Sequence, residues 1–214
     1  MTATLNAVDF AALSPLLILL FGALLILAIE SFFDTFAKLI SLPLALIAIV
    51  AALIAVIYAP ESTSPLLTPW LRFDTLARTF NSLFLTIGFG SALLAGAFFQ
   101  RFEASRGEYY FLLLSSLFGV LLIGSAADFL TLFLGIETLS IALYILCGYV
   151  KDWKLSHEAA LKYFFMGALA TAFFLYGIAL VYGAIGTTQF APLLADYQAL
   201  STLQAKVLFM TGRA

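Results

Sequence analysis

Six stretches of the chain run apolar for about twenty residues each, the length that crosses the hydrocarbon core of a bilayer as a helix. They are Phe10–Ile29, Leu39–Tyr58, Phe80–Phe99, Tyr109–Ala127, Phe129–Val150 and Ala159–Ile185. Apolar residues fill these stretches continuously and do not alternate with polar ones. That pattern predicts helices, because barrel strands show one apolar face at period two. The expected fold is an all-α, polytopic transmembrane helix bundle of about six spans, with residues 1–214 as a single transmembrane domain. Residues 186–214 are less apolar, carry Pro192 and Asp196, and lead into the start of a further helix that the sequence does not complete.

Composition agrees with a membrane protein that has little mass outside the bilayer. Hydrophobic residues make up 64% of the chain, charged residues 10%, and mean hydropathy is +1.10. A soluble domain carries about a quarter charged residues. A net charge of −2 predicts neither nucleic-acid binding nor a polybasic membrane patch. One cysteine, Cys147, and one histidine, His157, exclude an intrachain disulfide and any metal site built on pairs of these residues within the chain. No phosphate-binding glycine loop and no nucleophile–base set is present. The first apolar run has no positive charge before it and Glu30 after it, unlike a secretory signal peptide.

Basic residues sort the joins between spans. Lys38, Arg101, Arg106, Lys151 and Lys154 lie on one side, five in all. Arg72 and Arg78 lie on the other, in a connection that holds Pro60, Pro65 and Pro69. The positive-inside rule places the N-terminus outside and the join at Lys151 in the cytoplasm.

Candidate chemistry rests on charges inside the spans. Glu137 lies eight residues into the fifth span, about 12 Å from its end by helical rise. Ser140 and Tyr144 follow at i+3 and i+7 and share its face, so a polar stripe runs along an oily helix. An ionisable group at this depth is a functional-site hypothesis by default. A structural polar residue, hydrogen-bonded to a neighbouring helix, is the alternative. Lys162 lies a few residues inside the sixth span. Desolvation disfavours its ammonium form, so it is a candidate partner in proton transfer with the acid. It is also placed four residues after Glu158, the spacing of an ordinary helix ion pair, and near enough to the interface to snorkel. His157 reads as a loop histidine after Ser156, the expected cap of the sixth helix, and Asp128 as the cap of the fifth. Gly88, Ala92 and Gly96 form a small-residue stripe for close helix packing.

The stretches DFLTLFLGIETLS at residues 128–140 and EAALKYFFMGA at 158–168 resemble the antiporter-like membrane subunits of NADH-quinone oxidoreductase, respiratory complex I. The branch is the one called subunit N in bacteria and subunit 2 in mitochondria. The resemblance is strong from about Gly107 to Thr188 and extends weakly back to RFDTLAR at residues 72–78. It implies a fold of about fourteen helices with two inverted repeats, in which buried Glu and Lys residues form a polar axis. The family's fifth-helix glutamate matches Glu137, and its sixth-helix lysine matches Lys162. By this resemblance the chain would be a proton-translocating subunit in the bacterial inner membrane. Its partners would be other membrane subunits of complex I and the lipid bilayer. NADH, FMN, iron–sulfur clusters and quinone would act in those other subunits, with no cofactor in this chain. A family member would be about twice as long and carry a further key lysine on a seventh helix. The chain is therefore expected to be a fragment, a truncated product, or a piece completed by another polypeptide. Two other readings stay open at this point: a subunit of a multisubunit cation/proton antiporter, and a non-transporting membrane scaffold.

Overall fold

The computed structural model describes residues 6–60, 64–99, 106–192, 207, 210 and 211. Six long helices follow one another: α1 (Ala7–Phe32), α2 (Asp34–Tyr58), α3 (Thr75–Phe99), α4 (Arg106–Ser125), α5 (Phe129–Cys147) and α6 (Lys154–Ile185). Each is long and apolar enough to span a bilayer. Large apolar side chains point outward along them, with Phe21 63%, Leu94 75% and Met166 68% exposed. Water would not tolerate such a surface, and lipid does. The chain is thus a multi-pass membrane protein. Apart from residues 207, 210 and 211, the expected lead into a further helix beyond residue 192 lies outside the described residues.

The packed core belongs to the first four helices. Leu16, Leu19 and Ile26 of α1, Ile49 and Ala52 of α2, and Leu85 and Ala92 of α3 close around Tyr110, Leu114 and Leu121 of α4. Helix α4 is central and touches α1, α2, α3 and α5. Small residues set its spacing. A Cβ at Gly119 would meet the backbone N of Leu139 at 2.6 Å and the carbonyl of Gly135 at 2.8 Å. The backbones of α4 and α5 therefore touch directly, as side chains larger than hydrogen would prevent. In the small-residue stripe, Gly88 sits against Leu117 of α4 and Ala92 is fully buried, which is the packing role expected of them.

The tight join between α4 and α5 is clamped on both sides. Arg72 donates its backbone N–H to the carbonyl of Ser125 (2.7 Å), and Ala127 donates to that of Trp70 (2.9 Å). On the other side Phe129 donates to Thr188 (3.0 Å) and Phe190 donates to Ala127 (3.0 Å). Two isolated backbone bridges, Leu71 with Ala126 and Asp128 with Gln189, mark the same arrangement. Asp128 is 1% exposed and caps α5 as expected. Its carboxyl accepts from the N–H of Thr131 (2.8 Å) and from the hydroxyl of Thr188 (3.3 Å).

Helix α6 differs from the expected cap. It begins at Lys154 after Trp153, not after Ser156. The hydroxyl of Ser156 instead donates to the carbonyl of Cys147 at the end of α5 (2.7 Å). A helix of 32 residues is about 48 Å long, well beyond the hydrocarbon thickness of about 30 Å. The polar turn at Lys154–Glu158 is thus a helical overhang that the apolar pattern alone did not mark.

Candidate functional site

Glu137 lies near the middle of α5 and is half-buried. Its carboxyl oxygen Oε1 accepts a hydrogen bond from the hydroxyl of Thr171 on α6 at 2.7 Å. Tyr144, of the same α5 stripe, also meets α6. Tyr144 lies across α6 at Gly167, where an added Cβ would fall 1.8 Å from the tyrosine hydroxyl oxygen. Its ring packs edge-on against Tyr163 (4.8 Å between centroids) and Phe164 (5.7 Å). On the other side of Glu137, Phe133 stacks with Phe174 (6.5 Å). The pairs Phe133–Phe174, Glu137–Thr171 and Tyr144–Gly167 run in antiparallel order along one seam. Aromatic contacts bracket the acid at both ends.

Lys162 does not enter this seam. It is nine residues from Thr171, two and a half turns of helix, so it projects from the opposite face of α6 about 13 Å away along the axis. Its ammonium pairs with Glu158 one turn earlier, and both side chains are largely exposed. The structure therefore brings Glu137 to Thr171 and sets Lys162 apart, in an exposed apolar face that also holds Leu155, Met166, Leu169 and Phe173. His157 is exposed, with its Nε2 2.7 Å from the carbonyl oxygen of Lys151.

A second cluster gathers where α3 and α5 end and α4 begins. Tyr149, two residues beyond α5, packs edge-on against Phe99 and Tyr109, each at 5.9 Å. Burial pushes the Tyr149 phenol above its ordinary range, and the negative charge of nearby Glu108 adds to the effect. A groove of about 670 Å³ opens here, lined by Leu94, Tyr109, Cys147, Tyr149 and Trp153. Glu137 does not line this groove. No cluster of His, Cys, Asp and Glu that could hold a metal ion occurs among the described residues.

Thr171 was not marked by the sequence. Its hydroxyl is one polar atom in a long apolar run, and only the packing of α5 on α6 shows what it touches.

A bundle of long apolar helices carrying a carboxyl in a helix–helix seam is an integral membrane protein of the multi-pass class, and comparison with known proteins shows which of these it resembles. The family model described as NADH:quinone oxidoreductase/Mrp antiporter, TM, matches residues 126–212, a stretch that includes α5 and α6. The chain is 55% identical over its whole length to the NADH-quinone oxidoreductase subunit N of Protochlamydia amoebophila, covering 45% of that protein. It is 38% identical over 87% of its length to the subunit N of Chloroflexus aggregans, covering 38% of it. Among solved structures, it matches a chain of respiratory complex I from Thermus thermophilus with a TM-score of 0.66 and 28% identity, over 92% of this chain and 42% of that one. The fold also matches a chain of the archaeal membrane-bound sulfane sulfur reductase, with a TM-score of 0.71 at 22% identity, over 94% of this chain and 43% of that one. The chain is therefore similar to the antiporter-like membrane subunits of NADH-quinone oxidoreductase, and among them to subunit N. It spans less than half the length of the curated relatives it matches.

Proposed function

We propose that the chain contributes a proton-carrying segment to a proton-translocating NADH:quinone oxidoreductase, with Glu137 as its proton-binding group. The observation that supports this reading most directly is the Glu137–Thr171 contact: a carboxyl near the middle of a spanning helix, held in a seam between two spans. A carboxyl at that depth can take up a proton from one side of the membrane and release it to the other when the hydration and charge around it change. NADH oxidation and quinone reduction are assigned to other subunits of the complex, and their energy reaches this chain as such changes. The cofactors belong with those subunits. Lys162, on the opposite face of α6, is proposed to exchange protons with groups outside this seam. The excess of basic residues at the Lys151 side supports an N-terminus outside a bacterial inner membrane.

The test is Glu137→Gln, introduced into the subunit in its native membranes. Glutamine keeps the volume and the hydrogen-bonding capacity of the side chain and removes the titratable proton. NADH-driven acidification of inverted vesicles should fall at least tenfold while the assembled complex is recovered in normal amount. Unchanged acidification would contradict the assignment. The description of the matching family also names Mrp antiporters, which supports a second reading as a cation/proton antiporter segment. Proton movement that depends on added sodium or potassium, and not on NADH, would favour that reading.

A further inference from the structure

We infer that Thr171 is a positioning residue for Glu137: its hydroxyl holds the carboxyl against α6 in both protonation states. This inference rests on the reading of Glu137 as the proton-binding group.

The first observation is what Thr171 does with its hydroxyl. Threonines inside helices commonly turn it back onto the carbonyl one turn earlier. Thr79 does so to Thr75 (2.9 Å), Thr86 to Ser82 (2.8 Å) and Thr138 to Leu134 (2.8 Å). Thr171 instead donates across the helix interface to Glu137. The second observation is the fit of the seam around the pair. Tyr144 occupies the notch at Gly167 one turn away from Thr171, and Phe133 stacks on Phe174 on the other side. These contacts fix how α5 and α6 slide past each other, so the hydroxyl meets the carboxyl at a set height.

The chemistry follows from the two groups. An ionised carboxylate only accepts hydrogen bonds, and the Thr171 hydroxyl donates to it. A protonated carboxyl keeps a carbonyl oxygen that can still accept, and the hydroxyl can also receive the acid proton through its lone pairs. The contact thus survives uptake and release of the proton. Without it, a glutamate with three rotatable bonds would swing along the apolar surface of α5, and the distance to the next proton carrier would vary.

Thr171→Val keeps the β-branched shape and removes the hydroxyl, whereas Thr171→Ser keeps the hydroxyl and removes the methyl. Both are to be made in the complex purified from native membranes, alongside Glu137→Gln. The infrared carboxyl band that disappears in Glu137→Gln is assigned to Glu137. In Thr171→Val that band should move to the position of a carboxyl with one hydrogen bond fewer. NADH-driven proton translocation should slow about tenfold, the scale of one hydrogen bond to a charged group. Thr171→Ser should restore both. A wild-type band and rate in Thr171→Val would overturn the inference. Equal impairment in the Val and Ser variants would overturn it too, because the methyl would then be what matters. If Glu137→Gln itself pumps normally, the proton-carrying reading fails, while the band in Thr171→Val still decides whether Thr171 holds the carboxyl.

Discussion

Removing the carboxyl of Asp128 should loosen the end of the bundle from which α5 starts. Asp128 is 1% exposed, caps α5 through the N–H of Thr131 at 2.8 Å, and accepts from the Thr188 hydroxyl at 3.3 Å. Loss of a side-chain cap costs about 1 kcal/mol. Loss of the second acceptor leaves a partly buried hydroxyl without this partner, which costs about 1 kcal/mol more. Asp128→Ala should therefore destabilise the protein by about 2 kcal/mol. For a chain of this size that corresponds to about 4–8 °C in Tm. Asp128→Asn caps a helix nearly as well as aspartate through its one amide oxygen, and its NH2 can donate to the Thr188 hydroxyl oxygen where the second carboxyl oxygen accepted, so it should lose less than half as much. The assay is thermal unfolding of the detergent-solubilised protein followed by circular dichroism at the helix bands. Equal losses in the Ala and Asn variants would refute the reasoning, because hydrogen-bonding geometry would then not be what Asp128 supplies.

Gly119→Ala should cost about 2 kcal/mol in the same assay, because its new methyl would meet the backbone of α5 at 2.6 Å and 2.8 Å with no flexible side chain to give way. Gly90→Ala, which meets nothing within 4 Å, should be neutral or stabilising by up to about 1 kcal/mol; the reverse ranking would contradict the α4–α5 contact. The Tyr149 phenol, raised above its usual value of 10.0 mainly by burial, keeps its proton in the fold at a pH where the unfolded chain has lost it. Its share of stability is therefore complete below pH about 10 and is lost as pH rises beyond that. Tyr149→Phe should flatten the alkaline fall in stability, and an unchanged fall would show that other groups cause it.

Glu137 and Asp128 were legible in the sequence because each breaks or borders an apolar run, where a carboxyl needs a reason. The Lys162–Glu158 pair was legible too, since four-residue spacing on a helix brings side chains together whatever else surrounds them. What joins Glu137 was not. Thr171 and Gly167 are small residues in an apolar helix, and their meaning depends on the rotation and slide of α6 against α5, which hydropathy does not encode. Once that rotation is known, helix geometry alone puts Lys162 on the far side. The start of α6 was misplaced for a related reason. The turn from Lys154 to Glu158 is polar because it protrudes beyond the hydrocarbon layer, while the backbone stays helical through it.

The central claim is that a titratable proton on Glu137 is part of proton translocation. The most direct measurement compares Glu137→Gln with Glu137→Asp in inverted native-membrane vesicles, as protons moved per NADH oxidised. The account predicts that the aspartate variant, which keeps a carboxyl, retains a measurable share of translocation and that the glutamine variant loses it, with equal amounts of assembled complex. Wild-type translocation in Glu137→Gln would contradict it.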